Sequence, residues 1–421
     1  MTDKEKTAVD ESMKVNEGER WMRLILGSVV LLFVGIIYAW SIIRAPFLDA
    51  TVGFNWAPTA VTWNYTITII CFSLGGFFAG LLAKKISARI RLIVAAALLC
   101  GGFLMVSTMA PGVSIWVLYL AYGIMSGLGV GITYLTIIGA TNAWFPDKRG
   151  LASGILMMCF ALTSLTIGKL AGTWIASPTM GWSKTYMILG IALGVVVLIA
   201  AFFVAMPKPG TVFPAAKAVV KKAATAPGED MTASQMIKRG SFWKLFVFCA
   251  LLAAVGSAAI ALVADIFLEV SELDLPTIAT WIGIVGIFNG LGRLTSGWLF
   301  DNLGMRTTQY ITSAVAIGGP AVVVLGLATN SLWVSVIGVA LCFFSYGFAP
   351  TTSSVFASTF YGMKNFALNF SVVNLFLIFA PFAPTLMMAM KSAGFDLMIP
   401  FAILAGAQVI GLIINLTIKK A

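Results

Sequence analysis

The chain has 421 residues, of which 60% are hydrophobic and only 10% charged, with a mean hydropathy of +0.98. Soluble globular proteins carry about a quarter charged residues, so a water-soluble enzyme or binding domain is excluded. The formal charge of +11 would suit nucleic acid, but the Lys and Arg residues gather in alternate loops between apolar runs. That is a topological signal, and no nucleic-acid partner is expected.

Residues 1–20 are polar, contain no cleavable apolar core and lead straight into apolar sequence, so they form a tail and not a signal peptide. Twelve apolar runs follow, each long enough for about 30 Å of hydrocarbon. They predict helices over 22–45, 57–82, 90–109, 114–141, 150–174, 183–206, 244–267, 277–300, 308–328, 331–357, 367–390 and 397–418. The expected fold is therefore an all-α membrane protein, with a six-helix bundle over 21–206, a linker over 207–243 and a second six-helix bundle over 244–421. The linker holds Lys208, Lys217, Lys221, Lys222, Lys238 and Arg239 among Pro and Ala. Every Lys and Arg except Arg44, Lys169, Lys184, Arg293 and Lys391 lies in the tails, the linker or the loops on the linker's side. Both termini are then cytoplasmic in a multi-pass protein of the cell inner membrane, with the lipid bilayer as its partner.

The five cysteines (Cys71, Cys100, Cys159, Cys249 and Cys342) all fall inside apolar runs without paired or metal-type spacing. The chain has no histidine, which removes histidine ligands and histidine proton relays. Gly127, Gly129 and Gly131 are spaced like a nucleotide loop. They sit in an apolar helix with no P-loop lysine after them, so they predict close helix packing. No cofactor and no enzymatic activity are expected.

The halves resemble each other. Gly80-Leu-Leu-Ala-Lys-Lys-Ile-Ser-Ala-Arg89 after the second run is matched by Gly297-Trp-Leu-Phe-Asp-Asn-Leu-Gly-Met-Arg306 after the eighth. Phe145-Pro-Asp-Lys-Arg-Gly150 after the fourth is echoed by Phe360-Tyr-Gly-Met-Lys-Asn365 after the tenth, at nearly the same offset. Parallel repeats imply a substrate cavity between the halves near mid-membrane. The second ten-residue segment resembles the loop signature of the major facilitator superfamily, with Asn302 and Met305 replacing basic residues. The first departs further, at Lys84 and Ser87, so the gating motif is expected at Asp301, with Gly297 and Arg306. Asn142-Ala-Trp-Phe-Pro-Asp-Lys-Arg-Gly-Leu-Ala-Ser-Gly154 is similar to the oxalate/formate antiporter family, relatives of the monocarboxylate transporters. That resemblance implies an alternating-access carrier of small organic anions.

Arg293 is a permanent cation inside the eighth run, costly there unless it meets water or an anion. Asn289 lies one turn earlier and shares its face with Gly286 and Ser296. A planar fork of donors suits a carboxylate; snorkelling to headgroups or an internal ion pair are the alternatives. The resemblance implies that Arg293 is the anion ligand. It also implies aromatic cavity positions at Tyr38, Tyr134 and Tyr346, with Asn64, Tyr65 and Thr68 as further candidates. Oxalate exchangers carry a second cation in helix 11, and here Val373 aligns with it. One cation matches a monoanion, so a lactate-, pyruvate- or formate-like monocarboxylate is the expected substrate. Lys169 and Arg44 lie near the outer ends, where snorkelling explains them.

The monocarboxylate transporters place an aspartate where this chain has Asn289, so a proton must be carried elsewhere. Asp265 and Glu269, one turn apart in the seventh run, are the candidates, against a plain hydrated rim. Pro350, Pro381 and Pro384 interrupt the tenth and eleventh runs, as bends that gate or as structural kinks. The expectation is a proton-coupled monocarboxylate carrier, acting as a monomer. An oxalate/formate-type exchanger and a non-transporting carboxylate receptor are the competitors.

Overall fold

The protein is described by a computed structural model covering residues 16–83, 85–145, 149–207, 211–213, 230–362 and 365–418. The expected tail up to residue 15, most of the expected linker (208–210 and 214–229), Lys84, residues 146–148, the Met363-Lys364 pair and residues 419–421 lie outside the described residues. Among the described residues twelve helices are long and apolar enough to cross a membrane. The first six are α1 (Glu17–Leu48), α2 (Pro58–Leu81), α3 (Ala88–Ser107), α4 (Ile115–Trp144), α5 (Gly154–Ala176) and α6 (Gly181–Phe203). The second six are α7 (Gly240–Glu269), α8 (Leu275–Phe300), α9 (Asn302–Ala328), α10 (Leu332–Ala357), α11 (Leu368–Ser392) and α12 (Met398–Leu416). Six crossings before residue 207 and six after residue 239 put the start of α1, the end of α6, the start of α7 and the end of α12 on one face. The other face is called the far face below.

Local chemistry sets the helix ends. Asn16 caps α1 by accepting from the Glu19 amide at 3.3 Å, and Arg20 and Arg23 pair with Glu17 and Glu19. These contacts let α1 begin five residues before the apolar run does. Ser87, Asp274 and Ser331 cap α3, α8 and α10 through their side chains, and Pro58 opens α2 in its first turn.

Two departures from expectation have clear causes. The predicted loop between α8 and α9 is almost absent, because the turn is made at Gly304 alone, with φ of 77°. Only a residue without a Cβ turns there without strain. Pro350 does not interrupt its helix, which runs unbroken over Leu332–Tyr361. Its cost is local: it has no N–H to give the Tyr346 carbonyl four residues back. Pro381 does follow a break, a 3₁₀ stretch over Asn374–Ile378 within α11. Pro384 falls in the first turn of the next segment, where no hydrogen bond is lost.

Close backbone approach holds the bundles. Gly127 and Gly131 of α4 press on the carbonyls of Thr68 and Phe72 in α2, as expected of packing glycines, and Gly129 meets Leu99 in α3. Arg89 donates to the Ala201 carbonyl at 3.3 Å, and Arg91 to the Ala79 carbonyl at 2.9 Å, tying α3 to α6 and α2. Between the halves, a Cβ on Gly283 would lie 2.4 Å from Leu165 Cα, and one on Gly172 would lie 2.9 Å from the Ala279 methyl. Thr66 donates to the Pro381 carbonyl at 2.8 Å and lies 2.6 Å from the Thr385 hydroxyl, joining α2 to α11. The five cysteines are free thiols, buried or partly buried.

α8 packs closely on α10 beside Arg293. A Cβ on Gly347 would sit 2.4 Å from the Asn289 carbonyl oxygen and 2.8 Å from the Arg293 amide. Backbone cannot yield as a side-chain tip can, so Gly347→Ala should lower the melting temperature by about 5 °C or more. Gly297→Ala, where a Cβ meets nothing within 4 Å, should leave it unchanged. Equal melting of both variants would show that this joint does not limit stability.

Candidate functional site

The site is built where four helices are locally irregular or crowded. In α1 the chain tightens into a 3₁₀ stretch over Gly35–Ala39, which carries Tyr38. Gly35 lies so close to the Phe160 carbonyl that a Cβ would clash at 2.1 Å. The carbonyls exposed by this tightening find new donors in α5: Thr163 gives its hydroxyl to the Leu32 carbonyl at 2.7 Å, and Ser164 to the Tyr38 carbonyl at 3.1 Å. α5 is itself distorted here, into a π-type stretch over Ser164–Gly168. Such stretches re-aim side chains without breaking a helix.

Arg293 projects from α8 into this region and is buried, with 7% of its surface exposed. Its Nη2 donates to the Tyr38 hydroxyl at 3.1 Å. Nε and Nη1 are buried without a partner, and so are both amide atoms of Asn289, which is 1% exposed. Tyr134 of α4 and Tyr346 of α10 are the other hydroxyls within electrostatic reach of the guanidinium. Tyr346 packs edge-on to Tyr38 with ring centroids 6.3 Å apart, in space left by Gly256 of α7. The five residues expected to bind substrate are therefore brought together. Ser296, on the same face of α8, spends its hydroxyl on the Arg293 carbonyl at 2.9 Å.

A guanidinium with unfilled donors in an apolar bundle is costly, by several kcal/mol or more in typical cases, until an anion fills them. Phenols supply polarity but no countercharge. Among the described residues no carboxylate pairs with Arg293.

Phe160 is a site residue with no signal in the sequence. Its ring lies between Tyr38, at 5.2 Å, and Tyr134, at 4.9 Å, and so sets the spacing of the two phenols. Tyr65 accepts from the Ser257 hydroxyl at 3.4 Å, across the halves. Asn64 is fully buried with both amide atoms unpartnered, and Thr68 only bonds its own helix. A cavity of about 70 Å³ adjoins Tyr134 and separates α2 and α4 from α11. Its α11 wall is Ser371, Asn374, Leu375 and Leu377. Val373 is fully buried and does not line it.

Toward the far face, Asp265 of α7 is not free. It makes a partly buried ion pair with Arg44 of α1, and Arg44 also donates to Thr62 at 3.3 Å. Arg44 is 1% exposed, so the expected snorkelling is replaced by pairing across the two halves. Lys169 is exposed. Glu269 pairs with Lys391 at 2.7 Å, and both are about one-third exposed, as at a hydrated rim. Gly297 meets no neighbour, Arg306 is exposed, and the side chain of Asp301 lies outside the described residues.

The major facilitator superfamily model matches residues 24–385. The chain belongs to the major facilitator superfamily. This facilitator is 27% identical to the oxalate:formate antiporter of Oxalobacter formigenes over 361 residues, 83% of this chain and 80% of that one. It is 23% identical to monocarboxylate transporter 13 of Rattus norvegicus over 333 residues, 78% of this chain and 68% of that one. A peptide transporter of solved structure superposes with a TM-score of 0.69 at 14% identity, covering 99% of this chain and 98% of that one, a likeness of fold. The facilitator is thus a multi-pass membrane protein of a transporter family, and the unpaired Arg293 lies within the matched region.

A functional cation and a structural one respond oppositely to removal. Replacing Arg293 by Met relieves an unpaired buried charge at similar volume, so the ligand-free protein should melt about 2 °C higher or more while transport is lost. A lower melting temperature would make Arg293 part of a structural network instead.

Proposed function

We propose that this facilitator carries small monocarboxylates, of the size of lactate, pyruvate or formate, by alternating access and with proton coupling. The single observation that supports this reading is the buried guanidinium of Arg293, with two unfilled donor atoms and no countercharge. A carboxylate would be held bidentately on an edge of the guanidinium that includes one of those free atoms, Nη1 with Nη2 or Nε with Nη2. Asn289 would supply a further donor, and Tyr38, Tyr134 and Tyr346 would orient the anion by their hydroxyls. The orientation that fits the basic loops is an inner-membrane protein with both termini in the cytoplasm. Asp301, Gly297 and Arg306 would then act on the cytoplasmic side as the gating motif.

Asp265 is the proposed proton carrier, with Glu269 as a rim acid beside it. The Arg44–Asp265 pair joins α1 to α7 across the two halves, and on this reading it would hold the far face shut. A proton on Asp265 would cancel its charge and release Arg44, and the far face would part. Coupling would then follow from geometry, since the latch opens only when the acid is neutral. A second reading, oxalate/formate-type exchange, is favoured by the 27% identity to the oxalate:formate antiporter. Against it stands the α11 wall of the cavity, which offers no second cation.

The test uses proteoliposomes. Asp265→Asn should lose accumulation of labelled lactate driven by a pH gradient while keeping lactate–lactate counterflow within about twofold. The double variant Arg44→Gln/Asp265→Asn should behave alike, since it removes the stranded arginine. Full gradient-driven uptake by Asp265→Asn would remove Asp265 from coupling. Counterflow of oxalate as fast as of lactate would favour the exchanger.

A further inference from the structure

The last stretch of the linker is built to lie against the second half. Residues 230–237 meet the bundle on the near face, opposite the far face, where α7 begins, α10 ends and α11 begins. Thr232 and Gln235 form a capping box that starts a short helix over Ala233–Ile237. Met231 and Met236 turn inward and are 5% and 0% exposed. The Trp243 indole of α7 donates to the Ile237 carbonyl at 3.0 Å, which closes the other end of the strap.

The strap is held by groups that the helix ends leave over. Tyr361 is the last residue of the α10 helix, so its carbonyl has no partner further along that helix. It accepts from the Met231 amide at 3.1 Å. The Met231 carbonyl in turn takes two side-chain donors, Asn365 Nδ2 at 3.1 Å and Asn369 Nδ2 at 3.0 Å. Asn365 stands at the N-cap of the next helix, where an asparagine ordinarily caps. Here its side chain makes no capping bond and reaches the strap instead. The Tyr361 hydroxyl lies 3.1 Å from that of Ser241, which ties the joint to α7. The joint falls on Phe360–Asn365, the segment that echoes Phe145–Gly150 of the first half. In that register Asn365 and Asn369 correspond to Gly150 and Gly154, which carry no side-chain donor. The docking groups therefore belong to the second repeat.

The element so pinned is one that can swing. The near-face segment of α11 is a helix over Phe366–Val373, and the 3₁₀ stretch over Asn374–Ile378, with Pro381 after it, separates it from the rest of α11. Helices bend at such breaks. The segment packs on α10 and also reaches α2 of the first half, and its last residue, Val373, is fully buried. We propose that residues 230–237 are an intramolecular latch on this segment: docked, they hold it against α2, and undocked, they free it to swing on the 3₁₀ stretch and open the near face. The three hydrogen bonds at Met231 are neutral and of modest net worth, so the latch releases without unfolding the bundle. This device is independent of which anion occupies the site at Arg293.

The test uses the full chain in lipid nanodiscs and takes two readings. One is amide hydrogen exchange over 230–237 and 366–373. The other is the rate at which a water-soluble maleimide labels Val373→Cys, located by mass spectrometry on its own peptide. Met236→Asp undocks the strap from its own side, because a carboxylate is costly to bury there unpaired. The double variant Asn365→Ala/Asn369→Leu undocks it from the side of α11. Each should speed exchange in both segments, and labelling at 373, by about tenfold or more while α3 stays protected. Faster exchange at 230–237 with 366–373 and the labelling rate unchanged would overturn the latch. So would faster exchange at 366–373 without faster labelling, which makes the strap a brace and not a gate. Unchanged exchange at 230–237 in both variants would overturn the docking itself. If Met236→Asp also exposes α3, the asparagine variant, which buries no new charge, decides by the same readings.

Discussion

The structure turns on one uncompensated charge. Arg293 places a guanidinium that cannot lose its proton among apolar helices, with the phenols of Tyr38, Tyr134 and Tyr346 around it. The irregularities around it follow from making room for it. The 3₁₀ stretch of α1 presents Tyr38, Phe160 spaces Tyr38 from Tyr134, and Gly256 admits the Tyr346 ring. Gly347 lets α10 touch the backbone of α8 at Asn289 and Arg293 themselves. A small shift between those two helices therefore moves the cation. On the proposed reading, substrate binding supplies the missing countercharge, and the bundle's geometry responds to it.

A second buried arginine shows what the first lacks. Arg44 has its carboxylate in Asp265, and the pair spans the two halves near the far face. One buried cation is thus satisfied by the fold and the other is left for a mobile anion. Buried ion pairs contribute little net stability, but breaking one by removing its partner's charge is costly. On the proposed reading this suits the Arg44–Asp265 pair to a latch, closed as a pair and released once Asp265 takes a proton. The polar contacts of Thr66 with Pro381 and Thr385, from α2 to α11, lie in the same half of the membrane.

The twelve spans were legible because bilayer thickness fixes the length of an apolar run, and the family match and helix ends agree with that reading. Arg293 was legible because a charge inside such a run has few innocent explanations. Phe160 was not, since one more aromatic in an apolar helix carries no signal. Asp265 could be named from its depth, but its partner could not, because Arg44 is 221 residues away and looks like any end-of-helix cation. On α11 the alignment points to Val373, which is buried, whereas the cavity beside Tyr134 is lined by its neighbours Asn374 and Leu377. A 3₁₀ stretch advances about 120° per residue instead of about 100°, so faces drift within two or three positions. The gating motif rests on sequence alone where Asp301 is concerned, and its Lys84 counterpart lies outside the described residues.

The most direct test of the account is the binding of an acid against its own amide. Thermal unfolding of the detergent-solubilised protein should be measured with lactate and with lactamide, which share shape and hydroxyl but not charge. Ligands that bind the native state raise its melting temperature, by an amount that grows with the logarithm of their concentration over Kd. The account predicts a shift with lactate, none with lactamide, and neither in Arg293→Met. Equal stabilisation by acid and amide, or a lactate shift that persists in Arg293→Met, would contradict it.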